Sequence, residues 1–200
     1  MKKLFERIIA WGANKGIHDI EFNPLQQTGF LLKELTEVND EFIAGNIDNA
    51  VGEICDLIIY CVNALKLLNP ELTKDVFNYD VVPKPFELED NSHVITGLLG
   101  TVFHISTQSQ RFRNSRALPN YYFQLIERCC TFIESLGYSP AIALEETVKK
   151  IESRQGAWNQ ETGKWEKTET LYTPNYAKAS LSRNESVDLA KKYRPVRGDK

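Results

Sequence analysis

Residues 31–60 read LLKELTEVNDEFIAGNIDNAVGEICDLIIY, and their periodicity decides the fold. Leu31, Leu35, Val38 and Phe42 recur at helical spacing along one stripe, the pattern of a helix that buries one face. Gly45 stands where a chain leaving a helix favours a left-handed residue, so a helix is expected over about residues 26–44. Asn46 or Asp48 can cap a second helix running to about residue 68. That helix presents Ile54, Leu57, Ile58, Cys61, Leu65 and Leu68 as its apolar face. The short turn between them makes the pair an antiparallel hairpin.

The acidic residues of this hairpin flank the apolar stripes. Glu34 and Glu37 are three apart, within about 60° of each other on a helix, and Glu41 falls in the same wedge. Glu53 and Asp56 repeat the spacing, with Tyr60 and Asn63 continuing their face. An antiparallel pair therefore brings four carboxylates to one edge of the interface. Like charges in a partly desolvated site raise one another's pKa and resist ionising together unless a cation compensates. All-oxygen ligation without nearby histidine or cysteine suits a hard ion such as Mg²⁺ or Mn²⁺. A solvated helix face explains any single E-x-x-E as well; the recurrence on two helices favours the metal.

The segments Leu31–Glu37, Gly45-Asn46 and Gly52–Tyr60 resemble the E-x-x-E…E-x-x-D signature of the MazG-like, all-α nucleotide pyrophosphohydrolases. That superfamily includes dimeric dUTPases, dCTPases and phosphoribosyl-ATP pyrophosphohydrolases. The resemblance spans about residues 26–68. It implies an all-α, four-helix-bundle-like fold with Mg²⁺ or Mn²⁺ bound by Glu34, Glu37, Glu53 and Asp56. It further implies hydrolysis of a nucleoside triphosphate (NTP or dNTP) to a monophosphate and pyrophosphate by a cytoplasmic homodimer, as in cleaning a nucleotide pool. Lys150 and Arg154, read one turn apart on a last helix, resemble the family's late basic pair that meets the phosphates. Base recognition in the family involves residues before the first acidic pair, here Asn23, Gln26 and Gln27, and Asn63 lies two turns beyond Asp56; Gln27 and Asn63 are the candidate substrate contacts. The identity of the nucleotide, the general base and the attacked phosphorus stay open. A phosphoribosyl-ATP pyrophosphohydrolase-like enzyme and a non-catalytic bundle that binds nucleotide or metal are the alternatives. A di-iron carboxylate bundle needs E-x-x-H motifs, which neither acidic pair supplies.

The remaining sequence fits around this hairpin. Two hundred residues suit one core. A formal net charge of −3 lacks the basic excess of a general nucleic-acid binder. No stretch is apolar enough to span a membrane, and the N-terminus has no apolar h-region. Cys55, Cys61, Cys129 and Cys130 sit in apolar helical stretches without zinc spacing, so they read as free core thiols. His18, His93 and His104 show no ligand spacing and read as structural. A first helix is expected over residues 2–14 from Leu4, Ile8 and Trp11, stopped by Asn14-Lys15-Gly16. Asn69-Pro70 closes the second long helix, and the prolines of residues 81–85 imply an extended connection. Two further helices follow at about residues 92–112 and 118–136, separated by a basic turn at 111–116. Ser139-Pro140 caps and starts a last helix to about residue 154. Residues 1–156 thus form a helical catalytic domain. Residues 157–200 form a small hairpin, with Trp158 and Trp165 flanking its turn, and a polar tail anchored by Tyr172, Tyr176 and Tyr193.

An ungapped shift of 68 residues lays Thr28–Leu31 on Thr96–Leu99 and Leu57–Cys61 on Leu125–Cys129. It maps Glu34, Glu37, Glu53 and Asp56 onto Val102, Ile105, Tyr121 and Gln124. The expected architecture is an internally duplicated pseudo-dimer in which residues 92–136 are a degenerate second hairpin without ligands.

Overall fold

The computed structural model describes residues 1–68, 91–111, 118–159 and 164–182. Asn69-Pro70, the proline stretch 81–85, residues 112–116 of the basic turn, the hairpin loop 160–163 and Tyr193 lie outside the described residues. Helices dominate the rest, joined by one two-stranded sheet. In chain order they are α1 (Lys2–Asn14), α2 (Pro24–Ile43), α3 (Ile47–Leu68), α4 (Asn91–Arg111), α5 (Leu118–Ser135) and α6 (Pro140–Glu152), followed by β1 (Arg154–Asn159) and β2 (Lys164–Thr170). No described helix is long and apolar enough to cross a membrane.

α2 begins two residues earlier than its hydrophobic period suggests, because Asn23 and Pro24 form its start. The Asn23 carboxamide oxygen accepts from the amides of Leu25 and Gln26 at 3.1 and 3.2 Å, and Pro24 takes the first turn, where its missing N–H costs nothing. At the other end Gly45 adopts φ +76°. Its amide bonds the Phe42 carbonyl at 3.1 Å, and Asn46 N–H reaches Glu41 O at 2.9 Å. This paired closure satisfies the last carbonyls of α2 and turns the chain into α3.

α3 is the central helix, packed by α1, α2, α5 and α6. Its buried residues run almost all round, from Ala50 and Val51 through Ile54, Leu57, Ile58 and Cys61 to Leu65, as a helix enclosed by others requires. α2 also packs on α4, and α4 on α5, so α2, α3, α5 and α4 form a closed ring of neighbours. α1 buries Leu4, Phe5 and Ile8, and Arg7 forks onto the Glu152 carboxylate of α6 at 2.6 and 2.9 Å. All four cysteines are free and buried, and burial pushes their thiols up, Cys130 to about 12.

Three expectations need correction. α6 ends at Glu152, so Arg154 is the first residue of β1 rather than part of the last helix, and the hairpin starts before residue 157. Ser139 occupies the position before α6, but its side chain makes no capping hydrogen bond. The ungapped 68-residue shift fails on the first helix of each hairpin: Leu31 and Leu35 are buried, whereas Leu99 and Phe103 are 47% and 64% exposed. Burial aligns α2 with α4 at a shift of 67, pairing Leu31 with Leu98, Glu34 with Thr101, Leu35 with Val102 and Val38 with Ile105. On α3 and α5 the shift of 68 holds from Ala50 and Leu118 through Leu65 and Ile133. One residue of slip rotates a helix by about 100°, enough to exchange its buried and exposed faces.

The C-terminal segment packs back on the helices. Trp165 on β2 meets the Trp11 ring edge-on at 6.3 Å, with Lys15 Nζ 4.7 Å from its centroid. Beyond β2, Ser139 N–H reaches Ala179 O and Leu181 N–H reaches Gly137 O, both at 2.7 Å. A 3₁₀ turn at Tyr176–Ala179 buries Tyr176 against α3 and α6.

Candidate metal centre

The antiparallel packing of α2 and α3 turns the sequence spacing into a cluster. Carboxylate oxygens of Glu34, Glu37 and Glu53 all lie within 4.8 Å of one another. Glu34 is buried, while Glu37 and Glu53 are partly exposed, so the group opens to solvent on one side. Lys33 reaches Glu37 at 2.7 Å and Glu34 at 3.3 Å but remains largely solvated.

Asp56, the fourth ligand expected from the sequence, is not in this group and is engaged by cations instead. Its Oδ2 accepts from Lys150 Nζ at 3.0 Å, and Arg154 Nη2 lies 3.8 Å away. The basic pair proposed from sequence thus converges on the fourth acid, although the two residues come from α6 and β1. Burial, and next the charge of Asp56, raises the Glu34 carboxyl to about 7. Burial and Asp56 also raise Glu53. The cluster therefore resists full ionisation, as expected of carboxylates crowded without a compensating cation.

A polar seam continues along the hairpin on both sides. Towards the turn, Asn49 donates to Glu41 at 3.3 Å. In the other direction Tyr60 packs its ring on Phe30 at 5.0 Å, and burial lifts its phenol. Gln27 is buried two turns before Glu34. Asn63 is buried too, and its amide is spent internally: Nδ2 donates to Ile59 O at 2.9 Å, and Oδ1 pairs with His18 Nε2 at 2.8 Å. With Asn63 Oδ1 as acceptor, His18 donates from Nε2, and burial holds its pKa down. His18 thus fixes the Asn63 side chain, a contact that its isolated place in the sequence does not signal. Asn23 is occupied in capping α2.

A cleft of about 560 Å³ opens beside the cluster, reaching from Glu53 and Lys150 to the segment at residues 173–177. No spacing rule flags that segment; only the isolated Gly52 inside an apolar helix and the aromatic anchors of the tail hint at it.

No family model matches the chain, and comparison with curated proteins and with solved structures gives no match.

Proposed function

We propose that this chain is a Mg²⁺-dependent nucleoside triphosphate pyrophosphohydrolase with a MazG-like four-helix arrangement. The convergence of Glu34, Glu37 and Glu53 within 4.8 Å, next to an Asp56 already held by two cations, carries this reading. The donor set fits a hard divalent ion: it is all carboxylate oxygen, with part of the group open to solvent and to a substrate oxygen. Glu34, Glu37 and Glu53 would hold the ion, and Asp56 would join them when Lys150 and Arg154 turn to phosphate. Once bound, Mg²⁺ or Mn²⁺ supplies charge neutralisation and Lewis acidity at the phosphates.

The chain's own groups account for the rest. Lys150 and Arg154 bind phosphate oxygens, the guanidinium through its fork of N–H donors. A carboxylate of the cluster accepts a proton from the attacking water. The water oxygen bonds to phosphorus as the α–β bridging P–O bond breaks, giving a nucleoside monophosphate and pyrophosphate. Asn63, fixed by His18, and Gln27 close the far end of the seam. A homodimer in a reducing cytoplasm is part of the same proposal, consistent with four free thiols.

Pyrophosphate release should be measured across the common NTPs and dNTPs with Mg²⁺ and with Mn²⁺. The wild type should hydrolyse at least one, and Glu37→Gln should lose activity by more than about a hundredfold, since even groups behind metal ligands cost 10–100-fold. Release from none, or full activity in Glu37→Gln, refutes the assignment.

A further inference from the structure

The C-terminal strap at residues 171–182 is fastened at several points. The Glu146 carboxylate of α6 is buried and accepts from Tyr172 Oη at 2.5 Å, from Asn175 N–H at 3.0 Å and from Lys149 Nζ at 3.0 Å. Tyr172 N–H reaches Ser153 Oγ at 3.0 Å. Tyr176 Oη lies 3.0 Å from Thr147 Oγ1, and its ring lies over Gly52, where an added Cβ would come within 2.7–2.8 Å of it. Only glycine at that point of α3 lets the strap approach so closely. The strap is thus a fixed wall, and the space between it and the start of α3 is the 560 Å³ cleft.

Glu53 and Lys150, proposed above for the metal and the phosphates, are among the residues that line that cleft. Its lining also includes Thr173, Pro174, Asn175, Ala177 and Asn49, the last of which donates to Glu41 at 3.3 Å. Asp48 lines it too, accepting from Tyr138 Oη at 2.6 Å. Neutral donors and acceptors beside apolar faces suit a planar ring with polar edges, and the volume exceeds what a phosphate group needs.

We propose that the cleft between the strap and the first turns of α3 holds the nucleoside half of the substrate, with Asn175 and Thr173 as its polar contacts and Glu146 as the positioning residue that sets the wall. The proposal rests on the pyrophosphohydrolase reading and adds to it where the base and sugar lie. The ion-pair and hydrogen-bond set that holds Glu146 at about 2 keeps it charged throughout the neutral range, so the wall stays fixed under assay conditions.

The test separates the two halves of the product. Competitive inhibition by a nucleoside monophosphate and by pyrophosphate is measured for the wild type, Asn175→Ala and Thr173→Trp, together with Mg²⁺-dependent binding of the monophosphate by calorimetry. Asn175→Ala removes an exposed side chain and should raise KM and the monophosphate inhibition constant about three- to tenfold, the value of one neutral hydrogen bond. Inhibition by pyrophosphate and kcat should not move. Thr173→Trp fills the cleft and should weaken the monophosphate further, again without affecting pyrophosphate. If pyrophosphate inhibition weakens while the monophosphate is unchanged, or if neither moves in either variant, the cleft does not hold the nucleoside although the enzyme assignment stands. A wild type that releases pyrophosphate from no nucleotide overturns both.

Discussion

Glu146→Gln isolates the anchor of the strap from the chemistry of the cluster. Burial alone would raise the pKa of this carboxyl, but the Tyr172 hydroxyl, the Asn175 amide and the Lys149 ammonium outweigh burial and bring it to about 2, from an ordinary value of 4.5. Glutamine keeps the shape and one acceptor, loses the charge and turns N–H donors towards groups that themselves donate. A hydrogen bond to a charged partner contributes about 1.5–3 kcal/mol and a neutral one about 1. The side chain is only 3% exposed, whereas its Lys149 partner is 40% exposed, and the variant should lose about 1–3 kcal/mol near pH 7. The sign with pH follows from the depressed value: the charge-dependent stability is fully present above 4.5 and is lost as pH falls through about 2. Those two values leave roughly two-fifths of it at pH 3. Urea unfolding of both proteins at pH 6, 4.5 and 3, with slopes compared to confirm the same surface change, should give a difference that is nearly constant down to 4.5 and then narrows. A difference that is flat to pH 3, or that widens on acidification, would show that the ionised carboxylate is not what holds the strap.

Gly52→Ala should destabilise the fold: overpacking against the Tyr176 ring costs about 1–3 kcal/mol, more than the gain of about 1 kcal/mol that alanine brings to a helix, and a raised urea midpoint would contradict the observed approach. Arg154→Ala should lower kcat/KM about ten- to a hundredfold, the range for a charged hydrogen bond, and by a similar factor for every nucleotide hydrolysed. A changed ranking of substrates would place Arg154 at the base instead of the phosphates.

The hairpin was legible because it is local. Stripe, turn glycine and paired acids all lie within residues 31–60, and helix geometry alone converts their spacing into proximity. What the sequence withholds is the long-range part. Glu146 reads as one more charge on an amphipathic helix, since its partners Tyr172 and Asn175 follow 26 and 29 residues later in an aperiodic segment. Arg154 reaches Asp56 from a strand, although the basic spacing with Lys150 suggests continuous helix; the register change between Gln155 and Gly156 belongs to the hairpin and leaves no periodic trace. Asn63 lies on the expected face, yet only the fold shows that His18 and Ile59 occupy its amide.

The duplication depends on the same distinction between pattern and register. Between Ile105 and Leu118 the chain has one residue more than between Val38 and Ala50, so an ungapped alignment cannot fit both helices of each hairpin. Lengthening a connection by one residue costs little. With burial as the guide, Glu34, Glu37, Glu53 and Asp56 correspond to Thr101, His104, Tyr121 and Gln124. Contacts across the helices then recur at equivalent places: His104 stacks on Tyr121 at 5.9 Å where Glu37 meets Glu53, and Arg128 donates to Gly97 O at 2.7 Å where Tyr60 meets Phe30. In the first hairpin the approach of the helices crowds carboxylates. In the second the same approach is closed by a ring pair and a cation–carbonyl bond, which are attractive. Under the proposed function the ion belongs to the first hairpin, and the second packs against it without ligands.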